Sequence, residues 1–351
     1  MSKNKFRGFI GTYTKGESKG IYSFVFDKEK EQITDIELVA EVNNPTYLTV
    51  SEDNHYLYAV GADNDQGGLV AYAIDQEMNK LQELNRQMTD GSSPCYVGVN
   101  RDNSQVLAAY YHRGSVELFE TNKDGSLNPR KSVAEFTGSG PNKDRQEKPH
   151  THYAQFTPNE KFVAVVDLGI DQIITFDVSS GELKEVHTLS VRPGSGPRHL
   201  AFHPDGKIAY CMTELSNEVI VLEFNQEDGS FKELQYIPTI PEDFTENSQG
   251  AAIRVTKDGR FVYVSNRGHN SIASFKVEAD GTLTFIAYTS SEGNWPRDFQ
   301  FDPTEEYVVG SNQESGNLVL YKRDTETGRL TVINNGIQVP YPVCVTFLHE
   351  K

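Results

Sequence analysis

Hydrophobic and polar positions along the chain repeat one arrangement. A short stretch of alternating apolar and polar residues meets a polar turn, and a second alternating stretch follows. From Pro197 to Glu214 it reads Pro-Arg-His-Leu-Ala-Phe, then His-Pro-Asp-Gly-Lys, then Ile-Ala-Tyr-Cys-Met-Thr-Glu. Alternation with a period of two, bounded by Gly, Pro, Asn and Asp, predicts a pair of antiparallel strands. The arrangement returns at Pro45–Ala62, Pro94–Tyr111, Thr151–Leu168, Gly250–Arg267 and Pro296–Gln313. A seventh copy begins at Pro342 and has room for one strand before Lys351.

Successive copies start 46 to 57 residues apart, a period at which self-similarity marks a propeller or a solenoid. Each copy is one small sheet that cannot bury both faces alone, so neighbouring sheets must stack. The strands that the seventh copy lacks are at the other end of the chain. Phe6–Tyr13 reads as a second strand, Gly20–Asp27 as a third and Ile33–Glu41 as a fourth. Pairing the C-terminal strand with these three completes a sheet and removes the edges that an open row would expose. A solenoid would want polar caps at both ends, and neither terminus supplies one. The pattern therefore predicts an all-β, seven-bladed β-propeller forming a single domain over residues 1–351.

Composition adds little to the fold and more to the setting. Asp-Gly-Ser or Asp-Gly-Thr at Asp124, Asp228 and Asp280 predicts tight turns between outer strands. Thr137–Pro149 is polar and reads as a long loop feeding the copy at Thr151. A formal charge of −17 opposes broad binding to nucleic-acid phosphates while leaving room for a local basic site. The three cysteines, Cys95, Cys211 and Cys344, are isolated in strand-like segments and fit a reduced compartment rather than a disulfide framework. Lys3, Lys5 and Arg7 precede no apolar leader, and no segment approaches a membrane span. A cytoplasmic protein with neither nucleic-acid nor membrane partners is the expectation.

Aligned copies show which positions depart from the pattern. The first strand of each propeller blade lines a central channel, so equivalent positions form rings around it. The position after each start holds Thr46, Cys95, His152, Arg198, Ala251, Arg297 and Val343. Small or apolar residues suit a crowded axis, whereas unpaired charge there is costly. The end of the second strand holds Tyr13, Ala62, Tyr111, Leu168, Glu214, Arg267 and Gln313. Antiparallel pairing should place Glu214 beside Arg198 and Gln313 beside Arg297. Asp167, Thr213, Asn266 and Asn312 precede four of these positions and are expected to add polar groups nearby.

A structural ion pair is the simpler account of Arg198 and Glu214 taken alone. Three arginines (Arg198, Arg267 and Arg297) against one clear carboxylate favour an anion site. His152 beside them is a candidate acid or base near neutral pH. His152 and Glu214 are both expected to face a solvated channel. His150, Asn266, Asn312 and Gln313 are further candidates for substrate contact. His199 and His203 read as packing or turn residues, and Gly138-Ser-Gly-Pro141 and Gly194-Ser-Gly-Pro197 as turns. His150 and His152 lack a third ligand at metal-binding spacing, and no nucleophile elbow or phosphate-cradling glycine loop occurs.

At Pro149-His-Thr-His152, Gly196-Pro-Arg-His199, Tyr210-Cys-Met-Thr-Glu214, Asn266-Arg267-Gly268 and Trp295-Pro-Arg-Asp298 the chain resembles the seven-bladed propeller lactonase family. Its bacterial members include 6-phosphogluconolactonases, and the resemblance covers essentially the whole chain. It implies a converging His152, Arg198, Glu214 and Arg297, as in the related muconate lactonizing enzymes. It also implies hydrolysis of 6-phospho-D-glucono-1,5-lactone, a small anionic sugar lactone of the pentose phosphate pathway, without metal or organic cofactor. On that reading His152 or Glu214 is the base, Arg198 stabilises the oxyanion, and Arg297 with Arg267 holds the phosphate. Another sugar lactone, or a dicarboxylate for a lactonizing cycloisomerase, would suit the same basic channel. A non-catalytic protein-binding propeller is the alternative of another class, though the Gly-His and Trp-Asp signals of WD repeats are absent.

Overall fold

Alternating strands joined by tight polar turns can pair only with their neighbours, and the observed topology follows from that. The computed structural model of the chain describes residues 4–350, so Lys3 lies outside the described residues. These residues form seven four-stranded sheets, and among them no helix is long and apolar enough to cross a membrane. The chain divides into two compact units, one of Met1–Val106, Phe119–Pro129 and Ser291–Lys351, the other of Leu107–Leu118 and Arg130–Ser290.

In the first unit, Pro342–Phe347 pairs with Lys5–Thr12, which continues through Gly20–Asp27 to Gln32–Glu41. Gly8 lies opposite Phe347 and Ile10 opposite Val345. The C-terminal strand thus completes a sheet with three N-terminal strands, as the truncated seventh copy predicted. Two further sheets run from Leu48–Val50 to Lys80–Asp90 and from Pro296–Phe301 to Leu330–Gln338. The second unit holds the sheets running from Thr151–Phe156 to Lys184–Ser190, from Pro197–Phe202 to Phe231–Pro238 and from Gln249–Val255 to Leu283–Ser290. Strands Tyr96–Val99, Gln105–Tyr110, Ser115–Glu120 and Ser132–Glu135 make the remaining sheet.

Adjacent side chains of a strand point to opposite faces, and here both faces are apolar. Phe9 packs with Ile21, Leu57 and Cys344, while Ile10 packs with Phe24, Val309 and Val345. In the second unit Tyr210, Met212, Val221, Val264 and Phe275 form an equivalent layer. Second strands are consequently mostly buried, and Phe162–Asp167 is buried along its whole length. Fourth strands such as Lys184–Ser190 are largely exposed.

The predicted Asp-Gly turns are present and also join neighbouring sheets. Asp124, Asp228 and Asp280 each accept a hydrogen bond from the backbone N–H two residues on. The glycine between takes a left-handed φ of 81° at Gly125 and 84° at Gly281, where a side chain would be strained. Its carbonyl then receives a buried hydroxyl from an adjacent sheet: Tyr58 to Gly125 at 2.9 Å, Tyr210 to Gly281 at 3.0 Å and Thr175 to Gly229 at 2.8 Å.

Truncation after Tyr341 removes the partner of Lys5–Thr12 and strips Cys344, Val345 and Phe347 from two apolar layers. At roughly 1.5–3 kcal/mol for each large buried side chain, the loss rivals the whole stability of an ordinary domain. The truncated protein is expected to aggregate or to melt far below the full chain in size-exclusion and thermal-unfolding measurements. Unchanged melting of a monomer would contradict this account.

Candidate active site

The first strands that carry the departing residues share a local irregularity. Thr151 lies opposite Asp167 and Tyr153 opposite Val166, so the register shifts at His152, an extra residue on this strand. Arg198 stands in the same way between Pro197 and His199, and Arg297 between Pro296 and Asp298. Val343 sits in such an irregularity beside Gly11, and Ala251 and Ala252 together oppose the single residue Ser265. A β-bulge turns one side chain away from the pleat. It lets an ionisable residue leave an otherwise apolar strand without disturbing the faces on either side.

In the second unit these side chains meet around Glu214. Arg198 donates from Nε to Glu214 Oε2 at 3.0 Å, and Arg267 Nη2 lies 2.7 Å from the same oxygen. Arg145 Nη2 donates to the other oxygen, Oε1. Backbone carbonyls fix the two strand-borne arginines, Arg198 through Ala251 and Arg267 through Gly250 and Gln249. The Arg198–Glu214 pairing follows the predicted register. Arg145 has no counterpart in the repeat, because it lies in the Thr137–Pro149 loop. In the sequence only the length and polarity of that loop set it apart.

His152 lies against the same cluster, its ring 5.1 Å from His199 and 5.6 Å from Tyr111 in edge-on contacts. His199, read from sequence as a packing residue, has Nε2 at 3.3 Å from Arg198 Nη1. Guanidinium nitrogens only donate, so a hydrogen bond across this contact has His199 Nε2 as its acceptor.

Burial alone pushes the Glu214 carboxyl up. Neighbouring Arg267, Arg198, His152 and Arg145 outweigh it and hold Glu214 well below the usual carboxylate range. Burial likewise weakens the charged form of Arg145, and Glu214 and the Tyr111 phenol more than restore it, so its pKa lies above the ordinary value. Glu214 is therefore ionised at neutral pH and holds protons poorly, which suits a charged anchor better than a base. The expectation that His152 and Glu214 face a solvated channel needs correction. They are only 5% and 3% exposed, since neighbouring side chains close over them.

Two other expectations change in detail. Asp167, Thr213, Asn266 and Asn312 hold turns instead of lining the cluster. Asp167 accepts from the backbone of His150, Gly169 and Ile170 and from the Thr151 hydroxyl. Asn266 uses both amide hydrogens on Thr239 O and Ser271 Oγ and accepts from the Thr239 hydroxyl. Asn312 donates to Ser291 O and Thr213 to Glu218 O. His150 is an anchor for the loop, with its ring stacked 4.2 Å from Tyr111 and its nitrogens facing Tyr111 O and Glu147. In the first unit, Arg297 meets Gln313 at 3.4 Å, as the register predicted, and lies over the Tyr13 ring at 5.3 Å. Gln313 also donates to Glu314.

The sequence matches the lactonase, 7-bladed beta-propeller family over residues 7–347, and the chain belongs to that family. Its fold class is accordingly the seven-bladed β-propeller. It is similar to the 6-phosphogluconolactonase of Bacillus subtilis strain 168, with 55% identity over 347 residues spanning 99% of each chain. A crystal structure of a protein from Lactobacillus plantarum is 40% identical, with a TM-score of 0.95 over 98% of this chain and 100% of that one. The periplasmic gluconolactonase of Pseudomonas aeruginosa is 29% identical, with a TM-score of 0.91 over 98% and 99% of the two chains. The protein is an enzyme of the lactone-hydrolysing class.

Glu214→Gln would leave buried arginines short of their counter-charge, a change that costs about 3–5 kcal/mol in such pairs. The sign with pH follows from the depressed carboxyl. Its stabilisation is complete above the unfolded value near 4.5 and fades as pH falls toward the lower folded value. Denaturant unfolding should show a large deficit for the variant at pH 7 that shrinks below about pH 4.5. A deficit that is absent at pH 7, or constant with pH, would refute the charged-anchor role.

Proposed function

We propose that the protein hydrolyses 6-phospho-D-glucono-1,5-lactone to 6-phosphogluconate, with His152 as the acid–base group and Arg198 as the principal oxyanion partner. The observation carrying this reading is a histidine placed by a bulge beside several arginines that one carboxylate only partly neutralises. Full-length identity to the Bacillus subtilis 6-phosphogluconolactonase supports the choice of lactone.

Lactone hydrolysis needs a nucleophilic water, a proton acceptor and positive charge where the carbonyl oxygen becomes an oxyanion. In this reading His152 takes a proton from water as its oxygen attacks C1 of the lactone. The tetrahedral oxyanion gains stabilisation from Arg198. When the bond from C1 to the ring oxygen breaks, His152 returns the proton to that oxygen and the open-chain acid is released. Glu214 keeps the guanidinium groups in place and stays ionised throughout. Depression of its carboxyl favours His152 over Glu214 as the base.

A second reading, hydrolysis of an unphosphorylated sugar lactone, draws on the likeness to the Pseudomonas aeruginosa gluconolactonase. Both lactones can be compared in one assay by following acid release above the spontaneous rate. His152→Ala is expected to lower kcat by about a hundredfold or more, the scale for loss of a positioned acid–base group. A near-native rate in a folded His152→Ala variant, with Arg198→Ala inactive, would replace the acid–base role with electrostatic stabilisation alone.

A further inference from the structure

Arg145 differs from the other arginines around Glu214 in origin and in exposure. Arg198 and Arg267 sit on or beside bulged strands, their side chains 2% and 5% exposed, and both also bind backbone carbonyls. Arg145 arrives from the Thr137–Pro149 loop, and its side chain keeps 32% exposure. Its Nη2 donates to Glu214 and the side chain also hydrogen-bonds Tyr111, while a guanidinium carries five donors in all.

The loop is built to hold this residue. Gln146, fully buried, donates from Nε2 to Leu168 O at 2.8 Å and accepts from Asn142 N at 3.2 Å. Its carbonyl accepts from Gly140 N, and its own N–H bonds Asn142 O. One residue earlier, Arg145 N lies 3.2 Å from Asn142 Oδ1. Lys148 Nζ reaches His112 O, and Glu147 meets His150 Nε2. Such an anchored loop presents a side chain with little conformational freedom left to lose on binding.

Charge makes the same case. Arg145, Arg198 and Arg267 surround a single carboxylate, which leaves the cluster positive within a chain of net charge −17. An anion completes the balance, and the arginine that reaches solvent can meet it first. We propose that Arg145 is a specificity-determining residue whose partly exposed side chain bonds the phosphoryl group of the substrate through its guanidinium. The Thr137–Pro149 loop then sets the preference for a phosphorylated over an unphosphorylated lactone. This assignment rests on the lactonase reading of the same site.

The test compares wild type with Arg145→Ala and Arg145→Lys on 6-phosphoglucono-1,5-lactone and on glucono-1,5-lactone. In Arg145→Ala the ratio of kcat/KM for the phosphorylated over the plain lactone should fall by about tenfold or more, mainly through KM. Lysine, keeping the charge without the fork, should restore part of it. A ratio within about twofold of wild type in Arg145→Ala would overturn the assignment. A second arm avoids catalysis altogether. Inorganic phosphate and 6-phosphogluconate should raise the melting temperature of wild type, and Arg145→Ala, measured against its own ligand-free baseline, should lose most of that gain. Equal gains in both proteins, or no gain in wild type, would also overturn it. If wild type turns over neither lactone, the proposed function fails, while the melting arm still judges Arg145.

Discussion

Burial of both faces of every small sheet is the constraint from which the other features follow. A four-stranded antiparallel sheet usually gives one face to water. Here Phe9 and Ile10, successive residues of one strand, enter two different apolar layers. Such a sheet is unstable without a neighbour on each side, and a bare edge among them would template aggregation. The pairing of Pro342–Phe347 with Lys5–Thr12 meets that need for the sheet shared by the two ends of the chain. Hydroxyls of Tyr58, Thr175 and Tyr210 reaching the glycine carbonyls of Asp-Gly turns add hydrogen bonds between sheets whose packing is otherwise apolar.

Under the same constraint a charged side chain has few places to go. An extended strand buried on both faces would force His152 or Arg198 into an apolar layer at severe cost. The bulges remove them from the pleat, and the strands resume their alternation at Tyr153 and His199. Charge is thus concentrated at strand starts, where Glu214 gathers it. Its carboxylate is stable in burial only because arginines approach both oxygens. Each arginine in turn is held by the carboxylate and, for Arg198 and Arg267, by backbone carbonyls.

Rigidity of this kind has a chemical use. Donors fixed before the substrate arrives need no reorganisation when charge develops on a carbonyl oxygen. A carboxylate held far below its usual range does not compete with His152 for protons near neutral pH. Strong ionisation of Glu214 and the acid–base work proposed for His152 are then compatible within one arrangement.

Much of this was legible in the sequence, because period-two alternation and turn residues are local signals. They specified the strand pairs, the seven sheets, the sheet shared by the termini and the register that puts Glu214 beside Arg198 and Gln313 beside Arg297. Aligning the copies also singled out His152, Arg198 and Arg267, since an ionisable residue conflicts with the burial its position demands. Other properties depended on contacts between distant segments. Asp167, Thr213, Asn266 and Asn312 looked like site residues, yet their short side chains reach the backbone of adjoining turns first. The sequence marked His152 and Glu214 as ionisable, but their burial depends on what packs over them. Arg145 was hidden because its loop has no period to align. Its place beside Glu214 is supported by Gln146 bonding the backbone at Leu168, a contact between loop and strand end that exists only once that sheet has formed.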